Sequence, residues 1–374
     1  MNRLKDALIV MLLAGVCLLV ASSLARAATP GSCTKGILPS GASSLVCMPL
    51  AGWNGGLVVF AHGYVAFNQP LDFYHLTLPD GTSIPRLIQT FGFAFATTTY
   101  RQNGLAILEG ADDIRELVAA FSETHSPLMT YVTGVSEGGL VATLLIEQSP
   151  NLFSGGFAAC GPIGSFKGQL DYIGDFRVLF DYYFPHLIPG EPIHIPPTVI
   201  RHWDSQYVPA IVAAVQGNPA RATELLHVAN AASDPADPGT LASTTINILW
   251  YSIFGTNDAF AKFGGNPFDN RGRWYSGSSD DVALNRGVHR FNASKAALAA
   301  LRAYETSGGL SIPMVTLHTT KDEVVPFAHE LLYQGKLQLS GRGQFISIPT
   351  PRYGHCNFRT AEVLSAFLTL LAQP

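Results

Sequence analysis

The stretch TYVTGVSEGGLVATLL, residues 130–145, decides how the rest of the chain is read. A β-branched, apolar run drives into two glycines that flank Ser136, and a helix-forming run follows at once. Strand, tight turn and helix in immediate succession put a side chain at the tip of the turn, clear of the backbone. Gly134 and Gly138 allow neighbouring elements to approach closely. The helix N-terminus behind the serine favours developing negative charge. In this setting Gly-x-Ser-x-Gly predicts a nucleophile on a strand-to-helix elbow.

A serine hydroxyl is a poor nucleophile without a base. His355 lies in Tyr353-Gly354-His355, between the last predicted strand and the last predicted helix. Asp322 follows the strand-like PMVTLHT (313–319), with Glu323 as the substitute acid. The order Ser136, Asp322, His355 predicts a triad in which the histidine takes the serine proton and the acid fixes the imidazole tautomer. A tetrahedral intermediate needs backbone N–H donors. Glu137, after the nucleophile, supplies one, and Tyr64, in Ala61-His62-Gly63-Tyr64, supplies the other by position. The Tyr64 ring is expected to wall an acyl pocket, and His62 to brace its loop. The remaining histidines, His318 foremost, read as structural.

Around these residues, short apolar runs alternate with helical patterns. Strands are expected near 57–61, 93–100, 128–133, 156–160, 313–319 and 344–348. Helices are expected near 85–91, 109–122, 138–148, 327–337 and 360–371, the second with Ile114, Leu117, Val118 and Phe121 on one face. This predicts an α/β fold with a mostly parallel central sheet and helices on both faces. The alternation breaks between Gly161 and about Leu310. Residues 165–290 therefore read as a mainly helical cap inserted after strand six. Residues 28–164 and 291–374 read as the catalytic domain.

These residues resemble the α/β-hydrolase superfamily: His-Gly-x after strand three, Gly-x-Ser-x-Gly after strand five, Asp-x-x-Val-Pro after strand seven and Gly-His after strand eight. The resemblance covers about residues 45–160 and 310–372. It implies a carboxylic-ester hydrolase working through an acyl-enzyme, with a peptidase of the same fold as the alternative. A peptidase wants an acidic cap site for a substrate amine, and Asp171, Asp175, Glu191 or Asp204 could supply one. A non-catalytic binding protein of this fold is the third reading. His355-Cys356 is also similar to the feruloyl esterase and tannase family, where a cysteine beside the histidine is bridged to one beside the serine. Here Val135 precedes Ser136, so that family's substrates are not carried over.

The chain has 374 residues, 47% hydrophobic and only 13% charged, which argues against long disordered tracts. Its net charge of −4 does not favour a nucleic-acid partner. Arg3 and Lys5, the apolar run Ala7 to Val20 and Ala25-Arg26-Ala27 read as a signal peptide over 1–27, hence a secreted or periplasmic protein without a stable membrane anchor. Four cysteines remain after cleavage, and four allow three pairings. Nearness in sequence pairs Cys33 with Cys47 and leaves Cys160 with Cys356. The partner is expected to be a small-molecule or polymeric ester, with no cofactor and no metal. The cluster Asp269, Asn270, Asp280 and Asp281 reads as a solvated loop before a calcium site. Oligomeric state is left open.

Overall fold

The computed structural model describes residues 28–341 and 343–374. The expected signal peptide lies outside the described residues. Eight strands form one sheet in the order β1-β2-β4-β3-β5-β6-β7-β8. They are β1 (Cys33–Ile37), β2 (Ser43–Cys47), β3 (Gly56–Ala61), β4 (Ala94–Thr98), β5 (Met129–Val135), β6 (Gly155–Ala159), β7 (Met314–Lys321) and β8 (Phe345–Tyr353). From β4 to β8 every pairing is parallel, whereas β1 and β2 join antiparallel. A strand covered on both faces is apolar throughout rather than alternating. Accordingly GLVVFA in β3 and AFATT in β4 are buried at every position.

Helices α1 (Ile84–Thr90) and α12 (Thr360–Leu371) cover one face, where Ile88 and Phe367 meet Val58, Phe60 and Phe95. The other face carries α2 (Ile107–His125), α3 (Glu137–Gln148) and α11 (Ala328–Ser340). In α2 the buried Ile107, Ala111, Ile114, Leu117, Val118 and Phe121 form the apolar stripe its spacing predicted. In α3 every residue from Glu137 to Ile146 is buried, as suits the helix behind the elbow.

The segment between β6 and β7 is helical: α4 (Phe166–Tyr183), α5 (Pro197–Arg201), α6 (Val208–Gly217), α7 (Pro219–Val228), α8 (Thr240–Phe263), α9 (Asp281–Gly287) and α10 (Lys295–Leu301). The long α8 packs on α4, α6, α7 and α10. The helical layer thus runs past residue 290. Residues 293–306, expected as one helix, form α10 and a short 3-10 turn at Arg302–Tyr304. The aromatic run Asp181-Tyr182-Tyr183 ends α4, and Phe184 is its C-cap.

The sequence reading missed the β1–β2 hairpin. Its strands are five residues each, and β1 is exposed throughout, so neither gives a period-two signal. The legible cue was Pro39-Ser40-Gly41 between two cysteines, with Gly41 at φ 89°. Cys33 and Cys47 face each other in that hairpin and form a disulfide.

Two glycines fix the junction of β5 and α3. A Cβ on Gly134 would strike the Gly138 carbonyl, and one on Gly138 would strike the Ala61 carbonyl. Both obstacles are backbone and cannot swing aside. Gly138→Ala is therefore expected to cost about 3 kcal/mol of stability by urea unfolding. Gly335→Ala, inside α11 where a Cβ meets nothing within 4 Å, is expected to add about 1 kcal/mol.

Candidate active site

Ser136 ends β5 and caps α3 with φ 55° and ψ −123°, a conformation that few non-glycine residues adopt. Its N–H donates to the Ala159 carbonyl at 2.8 Å, and its carbonyl accepts from the Gly139 N–H at 2.8 Å. The turn is held from both sides, and the hydroxyl stands clear at the carboxyl edge of the sheet.

His355 reaches this hydroxyl from the loop after β8. Its Nε2 lies 2.8 Å from Ser136 Oγ, and its Nδ1 lies 2.8 Å and 3.0 Å from the two Asp322 oxygens. The structure thus brings Ser136, Asp322 and His355 together. Asp322 Oδ1 also accepts the N–H groups of Val324 and Val325. Burial raises the carboxyl's pKa, but the charge on His355 and the hydrogen bonds from His318 and His355 outweigh it and hold it well below the usual carboxylate range. Glu323, the substitute acid, instead accepts from the Asn247 side chain at 2.8 Å.

His318 is more than a structural histidine. Its Nε2 faces the Val325 carbonyl at 2.9 Å and Asp322 Oδ2 at 3.5 Å, and its Nδ1 faces Glu330 Oε1 at 3.2 Å. Both ring nitrogens meet only acceptors, which is the environment of an imidazolium. Burial pulls its pKa down, but hydrogen bonds and charge from Asp322 and Glu330 push it up to about 10. Glu330 is tied in turn to Thr316 and Ser347. A buried cation therefore backs the triad acid. Sequence gave no cue, because a histidine inside an apolar strand reads as core.

Two other histidines are held neutral. His329 Nε2 donates to Gln169 Oε1 at 3.0 Å while its Nδ1 accepts from the Gly164 and Ser165 N–H groups, and burial draws its pKa down to about 3. His62 stacks on Tyr100 with ring centroids 3.9 Å apart, and burial draws it down to about 4. Its Nδ1 lies 2.8 Å from the Gly63 carbonyl, so it braces the loop that leads to Tyr64.

That loop packs on the elbow: a Cβ on Gly63 would lie 3.2 Å from the Ser136 Cβ. The N–H groups of Tyr64 and Glu137 find no acceptor among the described residues. The Tyr64 hydroxyl donates to the Phe254 carbonyl at 3.0 Å, which fixes its ring against α8. The Glu137 carboxyl turns away to accept the Ala106 N–H, and burial pushes its pKa well above the ordinary value.

The helical segment grips the catalytic loops. From α4, Gln169 and Tyr172 donate to the Val324 and Glu323 carbonyls, and from α8 the Thr244 hydroxyl lies 2.8 Å from that of Tyr353. Phe166, Leu170, Ile173 and Tyr251 from the same helices line a narrow space that opens at Ser136.

Cys160 and Cys356 form a disulfide, with Cα atoms 5.4 Å apart across 196 residues of sequence. It ties the histidine loop to the end of β6. Cys160, His355 and Cys356 bring three potential metal-ligand atoms within 4.8 Å, but the two sulfurs are bonded to each other. The expected solvated loop uses its polar groups locally. Asp280 caps α9, Asp281 accepts from Ser278, Asn270 accepts the Phe291 N–H, and Asp269 accepts the Ala293 N–H. Of the acids considered for a substrate amine, Asp171 and Asp175 are paired with Arg273. Neither Glu191 nor Asp204 lines the space at Ser136.

Strand order, an elbow after the fifth strand, an acid after the seventh and a histidine after the eighth define an α/β-hydrolase fold. The sequence matches no protein-family model and no curated protein. Among solved structures, the acylaminoacyl peptidase of Pyrococcus horikoshii aligns at 12% identity and TM-score 0.44, over 90% of this chain and 39% of that one. The chain therefore spans about two fifths of that peptidase's length. The Pyrococcus furiosus esterase PF2001 aligns at 9% identity and TM-score 0.47, over 94% of each chain. A bacterial membrane phospholipase A aligns at 12% identity and TM-score 0.42, over 99% of this chain and 98% of that one. No helix among the described residues is long and apolar enough to cross a membrane.

Two outcomes are expected. Replacing Cys160 and Cys356 together by serine frees the histidine loop, and kcat is expected to fall about 10- to 100-fold with little change in KM. The cross-link closes a long loop, worth about 5 kcal/mol in the chain-entropy model, so stability falls as well. The second concerns pH. His62 and His329 have folded pKa values below the unfolded one, so the stability they contribute is present above pH 6.5. It is lost as pH falls toward 4 and 3, where the unfolded chain binds the protons first. His318 is the opposite case: its contribution is full below pH 6.5 and is lost as pH rises through about 10. Tm against pH should therefore fall on both sides of neutrality. His329→Gln should flatten the acid limb and His318→Gln the alkaline one.

Proposed function

We propose that this chain is a secreted carboxylic-ester hydrolase that works through an acyl-enzyme on Ser136. The observation that carries the reading is the contact of Ser136 Oγ with His355 Nε2 at 2.8 Å, on an elbow flanked by two N–H groups without an acceptor. As Oγ attacks the ester carbonyl, His355 Nε2 takes its proton. The charge that develops on the carbonyl oxygen is met by the Tyr64 and Glu137 N–H groups. Asp322 keeps Nδ1 protonated and stabilises the imidazolium. His355 then gives the proton to the departing alkoxide. A water enters on the same side and attacks the acyl carbon as its proton passes to Nε2, and Nε2 then returns that proton to Ser136 Oγ as the acyl–Oγ bond breaks and the acid leaves.

An ester is favoured over a peptide by the surroundings of Ser136. Its walls are apolar, and the Glu137 carboxyl among them is pushed toward its neutral form by burial. A peptidase that trims amino termini needs an exposed anion for the amine, and Asp171 and Asp175 are committed to Arg273. Secretion is supported by the two disulfides and by the apolar start of the sequence.

Ser136→Ala is expected to lower kcat on nitrophenyl esters about 10⁶-fold and to abolish labelling by a fluorophosphonate, with the fold retained. Asp322→Asn is expected to cost about 10⁴-fold through the wrong imidazole tautomer. Glu323→Gln should cost far less. Turnover of aminoacyl nitroanilides in preference to nitrophenyl esters would replace the ester reading by the peptidase one. Unchanged ester turnover in Ser136→Ala would remove the mechanism.

A further inference from the structure

We infer that the acyl half of the substrate lies in an apolar channel running from Ser136 beneath α4 and α8, and that the substrates are esters of extended aliphatic acids whose alcohol sits in the vestibule beside His355. This rests on the ester-hydrolase reading above. The direction follows from the geometry of attack. The tetrahedral carbon on Ser136 must turn its oxyanion to the Tyr64 and Glu137 N–H groups and its leaving oxygen to His355 Nε2. The acyl substituent is thereby sent to the side away from the histidine.

Two spaces meet at that point, and they differ in kind. One is open and lies against His355, Val324, Asn247, Trp250 and Tyr251. The other is the narrower space that includes Ser136, Glu137 and Tyr64. It continues into a third that shares the walls Tyr64, Leu105, Leu170, Ile173 and Tyr251 and reaches Ile193, Ala259 and Phe268. Tyr251 borders all three and stands where the acyl and alcohol sides divide.

Most polar groups of the channel wall are already engaged, and the Tyr251 and Thr256 hydroxyls are the exceptions. Asn266 bonds the Phe268 and Asn292 backbone, Gln169 bonds the Val324 carbonyl and His329, and the Glu137 carboxyl accepts from Ala106. Such a wall offers no ion-pair partner to a charged acyl group and rewards methylenes, each worth about a factor of four when buried. The far half of the channel holds a position that can be blocked without disturbing its neighbours. Gly255, inside α8, lines it, and a Cβ there would meet nothing within 4 Å.

The test uses the full chain with two series of esters. In the first the alcohol is nitrophenol and the acid lengthens from acetate to laurate. In the second the acid is butyrate and the alcohol lengthens from methyl to octyl. For the wild type, kcat/KM is expected to rise along the acyl series beyond butyrate. Gly255→Phe is expected to lower the ratio of kcat/KM for octanoate over acetate by about tenfold or more, with Gly255→Leu intermediate and the alcohol series keeping its order. Gly255→Leu also keeps the proposal testable should the larger side chain prevent folding. A flat acyl profile in a wild type that cleaves acetate, or an unchanged ratio in a folded Gly255→Phe, would overturn the channel and leave the esterase reading standing. A shift in the alcohol series instead would reverse the two sides. Failure of the wild type to cleave any ester or to take up a fluorophosphonate would remove the esterase reading itself.

Discussion

The left-handed backbone at Ser136 is the constraint on which the rest of this structure depends. A serine at φ 55° carries strain of about 1–3 kcal/mol, and it persists only where its surroundings leave no alternative. Here β5 ends against the Ala159 carbonyl, α3 begins on the Ser136 carbonyl, and the glycines at 134 and 138 let backbone pass where any side chain would collide. The same crowding brings Gly63 against the elbow, within 3.2 Å of the Ser136 Cβ for a side chain built there. Strain and close approach are one feature seen from two directions.

The electrostatics are arranged in depth behind that hydroxyl. Asp322 is buried and would not remain ionised alone. It is held by two backbone N–H groups and lies between His355 and His318, and the second histidine answers to Glu330. Each buried charge has a partner of opposite sign, and each partner has further hydrogen bonds. This chain of contacts joins β7, α11 and β8 and positions the histidine loop from within. The Cys160–Cys356 bridge positions it from the other end, and both half-cystines are themselves in the left-handed region.

The helical segment between β6 and β7 is part of the same machine. Gln169 and Tyr172 hold the carbonyls beside Asp322, Thr244 meets Tyr353 near His355, and Tyr64 is bonded to the Phe254 carbonyl. A layer bonded to the loops of Asp322 and His355 and to the loop of Tyr64 cannot shift without moving them.

The sequence by itself determined the strand–turn–helix at Ser136, the order of serine, acid and histidine and the parallel core strands, and it narrowed the four cysteines to three possible pairings. These are local: a glycine pair, a period of two or 3.6 and a count of thiols are legible within a few residues. Helices α4 and α8 were not legible, because a helix buried on several sides carries no clean stripe, and β1–β2 was too short and exposed to show alternation. The participation of His318 and the neutral state of His329 were decided by tertiary structure alone. Each depends on groups brought together from distant segments, such as Gln169 with His329 or Tyr64 with Phe254, whose meeting no local pattern encodes.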